Sequence, residues 1–125
     1  MNNFFKQVVW VSNRHNKEIF KIHNQGNISS KNCVYIIICK QCGLQYVGET
    51  GNALCTRFTQ HRYNILRRKD THTHLVKHFI QHGWTAVQAS VLESNPHWNL
   101  AQRQRAERVW ISKLATRYPK GLNEK

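Results

Sequence analysis

The sequence predicts an α+β domain, a small antiparallel sheet of about three strands flanked by helices in the order ββααβα. Three observations point there. Two apolar runs, CVYIIIC at residues 33–39 and LQYVGET at 44–50, are joined by the tight segment CKQCG. Helical periodicity marks three later stretches. Between the second and third of these, TAVQASVLES alternates like a strand.

Taken in order, residues 1–30 read as an N-terminal extension or linker, with a strand at VVWV and then the polar tract HNQGNISSKN. The domain itself spans residues 31–125. A two-residue turn at Lys40 and Gln41 sets Tyr35 opposite Tyr46 and Cys39 opposite Cys42. Alternation then places Tyr35, Ile37 and Cys39 on one face with Cys42, Leu44 and Tyr46. The first helix opens at Gly51-Asn52 and runs to Lys69, with a stripe of Leu54, Phe58, Ile65 and Leu66. Thr71 or Thr73 caps the second, HLVKHFIQH, which Gly83 stops. Asn99 caps the last, LAQRQRAERVWISKLATR, which Pro119 and Gly121 end.

A chain of 125 residues fits one domain with a modest core. Nineteen Lys and Arg face six Asp and Glu, a net charge of +13. The basic residues recur through the whole fold instead of forming a tail, so nucleic acid is the first partner expected. No apolar stretch approaches the ~20 residues that span a bilayer. The opening MNNFFKQVVWVSNRH is broken by Lys6 and Gln7 and does not read as a signal peptide. Four cysteines without a secretory signal imply a reducing compartment, with thiols or metal ligands rather than disulfides.

Several residues carry chemistry on their own terms. The two tyrosines are either a cross-strand aromatic pair or one wall of a site. Glu107 falls on an apparent inward face with Leu100, Gln104, Ile111 and Leu114. An acid there needs either a salt bridge, to Arg103 or Arg108, or a bound cation. Glu49 and Glu93 read as solvated or structural. The Cys39-x-x-Cys42-Gly turn is half of a structural zinc site, a thiol pair or a redox motif. His78 and His82 present their rings on one helix face, with His74 and His78 at the same spacing; the alternative is a polar face toward DNA. Cys33 lies about 20 Å along the strand from Cys39, too far to share a metal, and with Cys55 reads as core. Trp84, Trp98 and Trp110 suit the core better than base stacking.

Val34-Tyr35-Ile36, then Tyr46-Val47-Gly48, then Arg57 and His61, Glu107 and Asn123 together resemble the GIY-YIG nucleases. The resemblance covers residues 33–125. The cysteine-bearing hairpin and the ending RAERVWISKLATRYPKGLN look most like the endonuclease domain of Penelope-like retroelements. It implies a metal-dependent DNA endonuclease that nicks target DNA for retroelement insertion. Catalysis would rest on Tyr35, Tyr46, Arg57, His61 and Glu107, with Mg²⁺ or Mn²⁺ on Glu107. Structural zinc would sit on Cys39, Cys42, His78 and His82, with His74 as alternate. A further cysteine upstream of the first tyrosine, common in such relatives, has no clear counterpart here. The implied setting is a nuclear polyprotein with a reverse transcriptase. Phosphate contacts fall to Arg62, Arg67, Arg68 and Lys69 on the first helix, and to Arg103, Arg105, Arg108, Lys113 and Arg117 on the last. The alternatives are a zinc-stabilised DNA-binding module without catalysis, or a free-standing repair or restriction nuclease.

Overall fold

The computed structural model describes residues 4–23 and 26–124. In order these form β1 (Trp10–Ser12), β2 (Ile19–Lys21), β3 (Cys33–Cys39), β4 (Gln45–Thr50), α1 (Leu54–Leu66), α2 (His74–His82), β5 (Val87–Ser94) and α3 (Leu100–Leu114). One 3-10 turn, Trp84–Ala86, leads into β5. From β3 onward this is the expected ββααβα order. No helix among the described residues is long and apolar enough to cross a membrane.

β3 lies between β4 and β5 in an antiparallel sheet. Its run of apolar residues is almost wholly buried because both of its faces are covered. Cys33, Tyr35, Ile37 and Cys39 enter one core, beneath α1 and α2. Val34 and Ile36 enter a second core, with Val47, Leu92 and the α3 residues Trp110, Ile111 and Leu114. A bulge between Val34 and Tyr35 lets Val34 pair with Glu93 and Tyr35 with Val91 on β5.

The β3–β4 register differs from the expected one by two residues. Tyr35 pairs with Gly48, and Tyr46 with Ile37. Lys40 and Gln41 do not form a two-residue turn, since such a turn needs positive φ that neither residue favours. The connection instead takes in Cys42 and Gly43, and Gly43 adopts φ +80. Gly43 N–H closes onto Cys39 O at 2.7 Å, and Cys39 N–H onto Leu44 O at 2.9 Å. A shift of two preserves the alternation, so the tyrosines still share a face. The register also explains Gly48. A Cβ there would lie 2.4 Å from the Tyr35 ring and hydroxyl.

α1 buries Leu54, Phe58, His61 and Ile65. Leu66, expected on that stripe, is exposed, because one residue beyond Ile65 turns 100° away from it. The helix stops at Leu66 rather than Lys69, and Arg68 takes a left-handed φ of 54. Thr73 caps α2 by accepting from Val76 N–H, and Gly83 ends it at φ 85. Asn99 and Gln102 form a capping box on α3. Leu100 and Gln104, expected inward, face solvent. The covered face is instead Arg103, Glu107, Trp110, Ile111 and Leu114, centred on the half of α3 that meets the sheet.

Both edges of the sheet are closed by distant chain segments. Phe4, in the stretch expected as an extension or linker (residues 1–30), lies in the first core, where it stacks on Phe58 with centroids 4.9 Å apart. Ala89 N–H donates to Phe4 O and Lys6 N–H to Ala89 O, along β5. The strand expected at VVWV, residues 8–11, lies instead at Trp10–Ser12 in the β1–β2 hairpin, which buries Val11 in the second core. At the β4 edge, Asn123 Nδ2 donates to Val47 O and Asn123 Oδ1 accepts from Val47 N–H, both at 2.8 Å. Leu122 N–H donates to Gln45 O beside it.

Gly48→Ala forces the Tyr35 ring out of its seat and is expected to cost about 1–3 kcal/mol. The check is the urea midpoint of unfolding; an unchanged midpoint contradicts the close approach.

Candidate active site

The face of the sheet beneath α1 is where the polar side chains converge. Tyr35, in the centre of β3, is fully buried and is ringed edge-on by Phe58 and His61. Its hydroxyl and His61 Nε2 share a hydrogen bond of 2.8 Å. His61 occupies an inward position of α1 that a leucine would ordinarily fill, and this bond is what makes its burial tolerable. Burial, then the neighbouring Arg57 charge, pushes its pKa down to about 3, so the imidazole is neutral at ordinary pH. Burial likewise holds the Tyr35 hydroxyl protonated, well above its ordinary value.

Tyr46 is only partly buried, and its ring stands edge-on to His61 at 6.2 Å. Burial raises its pKa to about 12; Arg57 pulls it down, while Glu107, Glu49 and Glu124 push it up. Arg57 sits one turn before His61 on α1 and donates through Nη1 to Gln60 Oε1 at 2.6 Å. Tyr46, Arg57 and His61 line a cavity of about 120 Å³, whose far wall includes Asn64, Asp70 and Glu124. The tail residue Glu124 is bound there by His74 N–H, at 2.8 Å, and by the His74 ring.

Glu107 reaches this neighbourhood from α3. Among the described residues its carboxylate has no hydrogen bond or ion pair. Burial raises it to about 7, reinforced by Glu49 and opposed by Arg108 and Arg57. The expected alternative, a salt bridge to Arg103 or Arg108, is not formed. Arg103 pairs with Glu49 through Nε and donates to Asn32 Oδ1 at 2.6 Å through Nη1. Asn32 in turn donates to Asn95 O and Trp98 O, which ties the start of β3 to the loop before α3. A half-buried carboxylate without a protein partner suits a hard cation that takes one carboxylate and completes its shell with water and phosphate oxygens.

The structure thus brings Tyr35, Tyr46, Arg57, His61 and Glu107 into one neighbourhood. Asn123, part of the same sequence pattern, instead buckles the tail to β4 and accepts from Thr116 Oγ1 at 2.7 Å. Glu49, Asn32 and Glu124 were not marked as site residues by sequence reasoning. Glu124 and Asn32 carry no local signal, since their partners lie far along the chain.

At the other end of the hairpin, the ligand atoms of Cys39, Cys42, His78 and His82 all lie within 4.8 Å of one another. Cys42 Sγ is 3.3 Å from His78 Nε2. His82 donates Nδ1–H to Gln41 Oε1 at 2.8 Å, which leaves the Nε2 lone pair free to ligate a metal. Burial raises the Cys39 thiol, and burial together with His82 lowers His78. Two thiols and two imidazoles are the donor types that favour zinc over hard cations. His74, the alternate, is outside the cluster, because its ring stacks on Tyr118 at 3.6 Å. Cys33 is buried, with its thiol pushed up to about 12, and Cys55 is half-buried.

Of the residues expected to meet phosphate, Arg67, Arg68, Lys69, Arg105, Arg108 and Arg117 are exposed. Arg62 is half-buried. Lys113 lies over the Trp110 and Phe20 rings, at 4.8 and 5.6 Å. Arg103 is spent on Glu49 and Asn32 inside the fold. Trp110 is core and donates Nε1–H to Glu93 at 2.9 Å; Trp84 packs on Phe4 and Phe58.

A model of the GIY-YIG catalytic domain matches residues 31–123, well over half of the chain. No curated protein and no solved structure matches it.

The folded pKa of His61 is depressed relative to 6.5, so the unfolded chain takes up the proton first. Stability is therefore intact above pH 6.5 and is lost toward pH 3, at up to about 1.4 kcal/mol per pH unit. The melting temperature of the wild type is expected to fall more steeply between pH 7 and 4 than that of His61→Gln. Parallel curves contradict a neutral buried imidazole.

Proposed function

This chain belongs to the GIY-YIG catalytic domain family, a family of nucleases acting on DNA, and from that premise we propose that it is a divalent-metal-dependent endonuclease that nicks target DNA for insertion of a Penelope-like retroelement. The observation that carries the reading is the shared cavity of Tyr46, Arg57 and His61, with the unpartnered carboxylate of Glu107 acting on the same tyrosine.

Phosphodiester hydrolysis needs an oriented water, relief of charge on the phosphorane and help for the departing oxygen. Arg57 offers a planar fork of donors to the phosphate oxygens. Tyr46, the tyrosine that lines the cavity, orients the attacking water through its hydroxyl, and only in its ionised form does Oη take the water's proton. Burial raises the Tyr46 pKa to about 12, and the Arg57 charge works against that rise, so a cation bound beside it would be needed to bring the phenolate within reach. The neutral His61 holds the Tyr35 hydroxyl, and the pair forms a rigid wall behind Tyr46. Glu107 would hold Mg²⁺ or Mn²⁺, which supplies Lewis-acid stabilisation of the phosphate and the leaving oxygen when bound.

The Cys39, Cys42, His78 and His82 group is assigned as a structural zinc clip, fastening the hairpin turn to α2. The cysteine-bearing hairpin also supports the retroelement reading, in which the domain works in the nucleus within a polyprotein that carries a reverse transcriptase.

Supercoiled plasmid is expected to be nicked with Mg²⁺ or Mn²⁺, and Glu107→Ala and Arg57→Ala are each expected to slow nicking by about a hundredfold. Intact plasmid with tight DNA binding would establish the non-catalytic module instead. Nick ends should be 3′ hydroxyls that a polymerase extends; ends it cannot extend contradict a priming role. Protein purified without chelator should carry about one zinc per chain, lost in Cys42→Ser, as read by elemental analysis.

A further inference from the structure

A wide groove lies outside the catalytic cavity. It has a volume of about 730 Å³ and runs between the loop after α1, the exposed side of α2 and the turn at Tyr118 and Pro119. Its floor is apolar, with Leu44, Ile80, Pro119 and Leu122, and its rim carries Arg68 and Lys77. No carboxylate lines it, whereas the catalytic cavity holds Asp70 and Glu124. Leu122 lines both spaces, so the groove begins where the cavity ends. His78, one of the four clustered ligands, lies along it, so it reaches from the cavity to the metal cluster.

Tyr118 is the feature that decides what fits. Its ring stacks flat on His74 at 3.6 Å, and His74 is itself bound by Glu124. The ring is therefore fixed, yet it remains 43% exposed. A held aromatic ring beside apolar side chains and two exposed cations is the pairing that receives a base face and its phosphate. Duplex phosphates alone would need the rim and have no use for the floor. Among the described residues neither Arg68 nor Lys77 forms an ion pair, so both charges are available to a polyanion.

We propose that this groove holds an unpaired nucleotide of the DNA substrate next to the scissile bond, its base against Tyr118 and its phosphate against Arg68 and Lys77. This rests on the endonuclease reading above, and it names the form of DNA that the site takes: a strand with at least one base out of the duplex beside the cut. Such a base accounts for the apolar floor, and the shared wall at Leu122 gives the strand a continuous path from cavity to groove.

The test is binding, measured by fluorescence anisotropy with the zinc-loaded protein and no added Mg²⁺ or Mn²⁺. The probes are a labelled single-stranded oligonucleotide and a blunt duplex of the same sequence. Tyr118→Ala is expected to weaken single-strand binding about tenfold and duplex binding less than twofold. Tyr118→Phe, which keeps the ring, is expected to bind both like the wild type. Lys77→Ala, at an exposed position, should lower the slope of log affinity against log salt for the single strand by about 0.7. Equal losses on both probes, or no loss on either, overturn the proposal. So does an unchanged salt slope in Lys77→Ala, which would return the groove to a peptide or a second copy of the chain. Discrimination between probes by a protein that leaves plasmid intact would sustain the groove and sink the nuclease mechanism, so the two failures are separable.

Discussion

Burial of β3 on both faces is the constraint on which the rest of the molecule depends. A strand with no solvent face must be covered twice, and the chain does this with α1 and α2 on one side and α3 with the N-terminal hairpin on the other. The two tyrosines look into the first core, and Glu107 descends from the second. Residues from opposite layers can meet only around an edge of the sheet, and β4 is that edge. Gly48 keeps the edge thin where Tyr35 fills the space a side chain would occupy. The tail closes the rest of it through Asn123 and brings Glu124 to the cavity.

Electrostatics follow from the same burial. Glu49, Asp70, Glu93 and Glu124 each hold a partner: Arg103, Asn64, Trp110 and His74. Glu107 is half-buried without one, in a chain whose charge is +13. The protein therefore leaves one half-buried carboxylate without a partner near Arg57 and the tyrosines, while most of its cations are exposed. That division suits a site that must attract a polyanion yet retain one ligand for a cation. The network of Glu49, Arg103 and Asn32 performs a different task, locking α3 to the start of β3 so that Glu107 is presented at a fixed depth.

Much of this could be read from the chain. The capping signals at Thr73 and Asn99 and the stop at Gly83 depend on neighbours within a few residues and appear where expected, whereas β5 begins only at Val87, after a 3-10 turn takes up Thr85 and Ala86. The same holds for the shared face of Tyr35 and Tyr46, which survives a register error because that error was even. Leu100 and Gln104 fall outside the covered face of α3 for one reason. A helical stripe read from a sequence has a period but no origin, and packing against the sheet sets which side is inward. The hairpin register turned on the conformation of Gly43, a choice between two turns that the residues at the turn do not settle alone.

By itself the sequence determined the order of elements, the periodicities and caps, the basic character and the residue types proposed for the site and for the Cys-His group. Only the tertiary structure decided which of those residues meet. It set His61 against Tyr35, left Glu107 without a partner, gave Arg103 to Glu49, excluded His74 from the metal cluster and turned Asn123 into a buckle. The physical reason is range. Propensity, capping and alternation act over a few residues, whereas each of these pairings joins groups tens of residues apart and depends on burial, which no local pattern encodes.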